Sequence, residues 1–466
     1  SEDYRVYYYA AYLDSRAARL AQAARYAERA LFYRPGFTPA KILLANLKYR
    51  QGQYDAAAAL ADEIISGNRN EAGAWYLKGM SFAMLGRGAD AISVFSAAAG
   101  IAPDDEFIRF ALEDLLISGT NLEEQGRRRW AAWHFGRARD YRARNLTGEA
   151  LFEYRRGLRL NPYARERRDY AEILRIQGFP ARFMEELRFM QDLGLGDQGI
   201  DDAVESYGSV LSNALYRRWQ VEPLLVTKRH WKLAVFSLGA QSAFYHADAG
   251  AVASSYFKDL LAHDRNIAPV DGELRHGSFS SAFRAARESG ADYFLVVSVT
   301  ESERDISLLG ELFVGRTGSQ AGVFRAYRTG PDRLRSASKN LLDQISAALP
   351  FRGELAARRA GQAIVDKGRS DGVAAENIYD VVKKGRLAVK NEGIGFSYSQ
   401  ADLVGSIAIT EADEEVASGN LTRNGFFDRI EAGDEIILQN EKAGTPPPPP
   451  DPAADPELRT LLRSLR

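Results

Sequence analysis

The sequence predicts a multidomain chain: an all-α solenoid of helix-turn-helix repeats, then an α/β sandwich domain, then a small β-barrel. Three observations carry this expectation. Small and aromatic residues recur with a 34-residue period near the start, the spacing of a two-helix repeat. At Lys232 the periodicity changes, and an apolar run (KLAVFSL) opens an alternation of strands with amphipathic helices. From Gly353 onward the pattern is short strands separated by glycine turns.

Composition bounds the function. A chain of 466 residues with 45% hydrophobic content supports about three domains at roughly 150 residues each. Its 61 basic and 62 acidic side chains nearly cancel, which argues against nucleic acid or an anionic membrane as the main partner and makes any electrostatic reading local. With no cysteine there is no disulfide, thiol nucleophile or cysteine-based metal site. No apolar run is long enough to span a bilayer as a helix. The chain starts at Ser1 without methionine, so an export signal or a lipid anchor upstream of Ser1 is compatible with it.

The repeat is clearest between Trp75 and Pro103, where Gly79, Phe82, Gly86, Ala91, Phe95 and Ala98 take the intervening positions. Thirty-four residues earlier Ala91 becomes Ala57 and then Ala23, while Ala98 becomes Ile64 and Ala30. Small residues there let two helices approach closely, and the aromatic between them fills the neighbouring repeat. The first repeat covers residues 4–35, with tyrosines at 7, 8, 9 and 12 crowding its first helix, and the second covers 39–69. After Pro103 the register breaks into one helix over 104–118 and a loop over 119–126. A further pair ends in Ala150, Tyr154, Gly157 and Pro162, and another spans 169–191 with a turn at Gly178-Phe179-Pro180. Repeat contacts are local, so residues 1–199 are expected to fold as an autonomous solenoid.

These spacings resemble the tetratricopeptide repeat (TPR). The resemblance implies a concave face for protein–protein interaction. The positions that grip a peptide carboxylate in such domains fall here on Tyr8, Tyr12, Ile42 and Asn46, of which only Asn46 fits. A groove for an amphipathic or extended protein segment is therefore expected instead. Its candidate partner-binding residues are Tyr8, Tyr12, Asn46, Tyr49, Tyr76 and Met80. Residues 127–168 hold 13 arginines against 4 acidic residues. Arginine forks suit carboxylates, so Arg139 and Arg142 are candidates on a docking face for an acidic partner, the alternative being a solvated helix face.

Residues 200–225 read as one long helix broken near Pro223, within a capping and linker segment over 200–229. The α/β domain, 230–350, orders as strand 232–238, helices 247–263 and 278–289, strands 293–300, 305–314 and 321–327, and helix 332–349. Its "LAVFSL" and "GADYFLVVSVTE" strands resemble the α/β domain of CsgG-like secretion-channel proteins, the TolB N-terminal domain and the flagellar T-ring protein FlgT. The resemblance implies an assembly module without catalytic residues. In the barrel, 351–440, the pieces "AIVDKGRSDGV", "LVGSIAITEAD" and "IEAGDEIIL" resemble the FlgT C-terminal barrel. Asp371-Gly372 and Gly433-Asp434 read there as turn residues. The tail, 441–466, has five consecutive prolines at 446–450, an extended spacer. Leu458, Leu461, Leu462 and Leu465 then line one face of a helix too short to stand alone, which makes the tail a candidate docking peptide.

The histidines, at 134, 230, 246, 263 and 276, show no metal-binding spacing, and no nucleophile elbow, phosphate loop or dinucleotide fingerprint is present. His246 and Asp248 sit in the loop after the first strand, where Asp248 is expected to cap the next helix. The sequence thus assigns no catalytic, cofactor or metal residue. It is expected to be a non-enzymatic periplasmic scaffold that binds other proteins of a flagellar or cell-envelope assembly. The resemblances fit a spirochaete periplasmic flagellar-associated protein, compatible with membrane anchoring as a lipoprotein and with self-association, and with no nucleic-acid partner. The alternative is a lipoprotein subunit of a secretion or outer-membrane assembly channel; 305–314 is long enough to cross a bilayer, but Arg304, Asp305 and Glu311 argue against a lipid-facing role for it.

Overall fold

The computed structural model describes residues 3–210, 214–221, 228–239, 246–302 and 304–439. Three helical hairpins come first: α1 (Tyr4–Arg16) with α2 (Leu20–Tyr33), α3 (Thr38–Arg50) with α4 (Tyr54–Gly67), and α5 (Ala72–Met84) with α6 (Gly88–Ile101). The repeat-defining Ala23, Ala57, Ala91, Ala30, Ile64 and Ala98 are all buried. At Gly79 a Cβ would meet the Phe95 ring at 2.7 Å, so glycine is what lets α5 and α6 close together. The hairpin turns use Gly52 and Gly86, one repeat apart, with φ of 76° and 73°.

Helices α7 (Glu106–Gly119), α8 (Gln125–Ala143), α9 (Thr147–Leu160), α10 (Arg167–Ile176), α11 (Pro180–Asp192) and α12 (Gln198–Val210) continue the array. The carboxylate of Asp105 starts α7 by accepting from the Phe107 and Ile108 amides at 3.0 and 3.2 Å. The single long helix expected over 200–225 is instead α12 and a separate α13 (Leu215–Trp219). A tertiary contact holds the start of α13: Asp413 of the barrel accepts from the Leu215 amide at 2.5 Å, and Leu215 packs on Ile364 and Val416.

The next unit runs β1 (Trp231–Leu238), α14 (Ala249–Leu261), β2 (Ile267–Pro269), β3 (Arg275–His276), α15 (Phe279–Glu288), β4 (Tyr293–Glu301), β5 (Asp305–Val314), β6 (Gln320–Thr329) and α16 (Arg333–Ala348). Its strands order as β2-β1-β4-β5-β6 with β3 also on β1. β1 is parallel to β2, β3 and β4, whereas β4, β5 and β6 are antiparallel. One face, with Leu233, Val235, Leu295 and Val297, packs with α14 and α16, and the other, with Ala234, Phe236, Phe294 and Val296, packs on Ala282 and Ala286 of α15. β2 and β3 span 3 and 2 residues, too short to leave a periodic signal in the sequence. β5 pairs on both edges and buries every second residue, which makes it an inner strand of this sheet.

The core does not close within the repeats. Tyr76, Phe107, Phe110 and Tyr154 belong to the same apolar cluster as Tyr256 and Phe257 of α14 and Leu334 and Leu341 of α16. The helical array and the α/β unit therefore share one interior, which differs from the autonomous solenoid that local repeat contacts alone suggest.

Strands β7 (Gly353–Arg359), β8 (Gln362–Val365), β9 (Ile378–Val382), β12 (Leu403–Ala412), β13 (Ala417–Arg423) and β14 (Glu435–Leu438) close a barrel in the order β12-β13-β8-β7-β14-β9. The small hairpin β10 (Ala388–Val389) and β11 (Phe396–Ser397) stands apart from it. Leu355, Val365, Val381, Ile407 and Ile436 fill the interior. The two aspartates read as turn residues hold local structure: Asp371 accepts from the Gly368 amide at 3.0 Å, and Asp434 from the Lys384 and Glu431 amides at 2.9 and 2.8 Å. The β10–β11 hairpin packs on the sheet where Phe396 stacks on Trp231 at 4.8 Å, and Arg352 links Asp292 ahead of β4 to Glu435 of β14 at 3.2 and 3.1 Å. The barrel joins the helical array where Glu414 accepts from the Ala181 and Arg182 amides at the start of α11, at 2.6 and 3.3 Å.

Candidate functional site

The sequence places its candidate site in the groove of the helical array, and there the chain meets itself. α7 lies under α14 and α16, and the polar side chains between them form a continuous network across the seam.

Its first knot is His246, at the end of the segment that leads into α14. Its Nδ1 lies 2.8 Å from Glu301 of β4 and its Nε2 3.0 Å from Asp105 at the start of α7. The ring stacks on Phe107 at 4.5 Å and receives the edge of Tyr76 at 4.7 Å. Burial disfavours the imidazolium, but the Asp105 and Glu301 carboxylates outweigh it and push the His246 pKa up to about 10. Burial likewise opposes ionisation of Asp105, and His246 overrides it, holding that carboxyl at about 2. The ring is thus a buried cation clamped between an anion of the helical array and an anion of the sheet. Asp248, expected to cap α14, sits at the N-cap position in left-handed backbone with φ 62° and no side-chain cap bond. Its carboxylate instead pairs with Arg275 and faces the Tyr49 hydroxyl at 3.5 Å.

The second knot is deeper. His134 of α8 lies between Glu153 of α9, at 2.6 Å, and Glu113 of α7, at 2.8 Å. Burial opposes its protonation, but both carboxylates raise its pKa, Glu113 foremost. Glu113 also pairs with Arg156, whose other arm donates to Asp259 of α14 at 2.7 Å. Arg159 reaches the same Asp259 at 2.6 Å, and Arg137 donates to Asp332, ahead of α16, at 2.8 Å. Glu106 accepts from the Leu334 and Arg335 amides at 2.6 and 2.9 Å, satisfying the first turn of α16. Burial pushes the Glu106 carboxyl up to about 7 despite Arg109 and those two amides.

Chemically, this cluster joins the helical array to the α/β unit. The space left among Glu106, His134, Glu153, Arg156, Tyr256 and Arg335 is about 10 Å³, at most one water. Every ionised group named here has an opposite charge or a hydrogen bond, which is the condition for buried charge to be tolerated at all. Among the described residues no group of three His, Asp or Glu side chains is arranged to hold a metal ion, and no helix is long and apolar enough to cross a membrane.

The candidate partner-binding residues divide accordingly. Tyr49, Tyr76, Met80 and Asn46 are buried, Tyr76 under His246 and Tyr49 beside Asp248, so an outside segment cannot reach them. Asn46 spends its amide on the Ile42 carbonyl at 2.9 Å. Tyr12 is buried in the core of the first two repeats, and Tyr8 is half-buried, edge-on to Phe37 at 5.2 Å. Arg139 and Arg142 are exposed, with Arg142 only 3.6 Å from Asp169. The arginine-rich stretch does meet acids, but Arg137, Arg156 and Arg159 spend their charge on this chain's own α/β unit. Leu458, Leu461, Leu462 and Leu465 lie outside the described residues. The residues that form the seam, His134, His246, Glu106, Glu113 and Asp259, carry no sequence motif. The signal that points to them is the arginine surplus itself, which needs counter-charge, and His134 set between Trp133 and Phe135.

Residues 42–106 match the family model of the tetratricopeptide repeat, and residues 230–347 match a model described as a family's second domain. No curated protein matches the chain. Among solved structures it is similar to the Cut9–Hcn1 hetero-tetramer of APC/C, at 15% identity and TM-score 0.25 over 44% of this chain and 43% of that one. It is similar to YrrB, described as a TPR protein with an unusual peptide-binding site, at 16% identity and TM-score 0.25 over 44% of this chain and 92% of that one. A thermophilic TPR protein of Thermus thermophilus gives 14% identity and TM-score 0.24 over 44% of this chain and 98% of that one.

Proposed function

We propose that this chain is a non-enzymatic scaffold of a bacterial envelope assembly, exported to the periplasm, with the flagellum as the machine it serves. Tetratricopeptide repeats support the scaffold reading, and the resemblance of the sequence to CsgG- and FlgT-like domains over 230–350 and to the FlgT barrel over 351–440 favours the envelope and the flagellum. One observation supports the non-enzymatic part: the titratable side chains of the seam are buried and paired with one another, as His246 is with Asp105 and Glu301.

A scaffold of this kind offers partners its outer surfaces. One accessible concavity of the helical array, about 430 Å³, is lined by α10, α11 and α12, with Arg168, Arg175, Leu187 and Tyr207 on its walls. The exposed Arg139 and Arg142 and the leucines of the tail complete the proposed docking surfaces. In the native cell, a tagged chain is expected in the periplasmic fraction and enriched with purified basal bodies. Deleting residues 441–466 is expected to weaken that enrichment while leaving the melting temperature of the folded units unchanged. A chain confined to the cytoplasm, or absent from basal bodies, would contradict the reading.

A further inference from the structure

The helical array grips the barrel at one pole, while the β10–β11 segment between β9 and β12 ties it to the sheet through Phe396 on Trp231 and the Gly395 amide on the Tyr293 hydroxyl. The β12–β13 turn, residues 413–416, meets the helical array through Asp413 on α13 and Glu414 on α11. From that turn β13 runs to the opposite pole, where the loop after Arg423 carries Phe426 and Phe427, 83% and 72% exposed, with their rings edge to face at 5.1 Å. Two neighbouring phenylalanines in water are a standing cost unless something covers them.

The charges around them are unevenly matched. The β9 and β12 ends share this pole, since Val382 pairs with Leu403 and Gly405 with Arg423. Asp428 is paired with Arg358 and Glu431 with Lys383. Lys384, Arg423 and Arg429 are exposed and have no ion pair among the described residues. A local surplus of cations thus rings the aromatic tip of a chain whose net charge is -1.

We propose that this pole is a membrane-contact site, in which Phe426 and Phe427 insert into the interface of an anionic lipid surface and Lys384, Arg423 and Arg429 face its headgroups. The size of the patch favours lipid over protein. The tip is one exposed pair of rings, each worth roughly 150–250 Å² when buried, whereas a stable protein interface needs about 800 Å² per partner. A bilayer interface needs no pocket and rewards an apolar wedge flanked by cations. The near-neutral total charge is no obstacle, because at physiological salt only charges within about a Debye length of the surface count.

The test is co-sedimentation of the full chain with vesicles of equimolar phosphatidylcholine and phosphatidylglycerol. Wild type is expected to pellet with these vesicles and to pellet less with phosphatidylcholine alone or in high salt. Phe426→Ser with Phe427→Ser is expected to weaken partitioning about tenfold or more. Arg423→Ser with Arg429→Ser is expected to abolish most of the salt dependence. Because the chain has no cysteine, Phe427→Cys carrying an environment-sensitive dye reports the depth of this residue alone, and its emission is expected to shift to the blue on vesicle addition. Wild type that stays in the supernatant would overturn the proposal and reassign the tip to a protein partner. A double-serine variant that pellets like wild type would overturn it equally.

Discussion

At the scale of single residues, His246 couples the two halves of the seam. Removing one partner of a buried ion pair costs roughly 3–5 kcal/mol, because the other charge stays buried. His246→Gln is therefore expected to lower the melting temperature by several degrees, read by circular dichroism. The pH dependence has a definite sign. The folded His246 pKa of about 10 lies above its ordinary 6.5, so its stabilisation is full below 6.5 and lost as pH rises through 10. Glu106, raised by burial from 4.5 to about 7, adds a loss of the same sign as pH rises through 7. Wild type is expected to melt at progressively lower temperature from pH 6.5 to 10, and His246→Gln to show a shallower slope. Equal slopes would mean that His246 is neutral in the fold. None of this was legible beforehand: Asp105, His246 and Glu301 are far apart in sequence, and a buried polar residue leaves no periodic mark.

The elements were the more readable level. The helices of the first three repeats, the α8–α9 pair and α10–α11 follow from small residues and turn glycines at fixed spacing, because the contacts that stabilise them are made between sequence neighbours. Ala91 of α6 is fully buried in the repeat core, so Ala91→Arg is expected to overpack that core and bury a charge. The expected outcome is collapse of the cooperative helical melt, and a melt like wild type would remove the repeat assignment. Elements set by distant contacts escaped the sequence. α13 depends on Asp413 and Val416, far away in the chain. β7 (GELAARR) and β13 (ASGNLTR) are polar enough to pass for loops, and they are strands because the barrel needs them to close.

On the scale of the whole molecule, the central claim is that the groove of the helical array is occupied by the chain's own α/β unit. Sequence reasoning places Tyr49 and Tyr76 in a groove and assigns it to an outside partner, because nothing local says which surface fills which. The arginines of 127–168 show the same limit: their surplus was visible, and that Asp259 and Asp332 answer it was not. The occupied groove predicts a rigid body in which array, sheet and barrel move together, with docking left to the outer faces. The absence of native cysteine allows this to be measured one position at a time. Tyr49→Cys, buried beside Asp248 and Arg275, and Arg139→Cys, exposed on α8, would each be labelled with a thiol reagent in the native full chain. Position 49 is expected to react roughly a hundredfold more slowly than position 139, and to speed up when His246→Gln loosens the seam. Labelling at 49 as fast as at 139 would show an open groove and contradict the account.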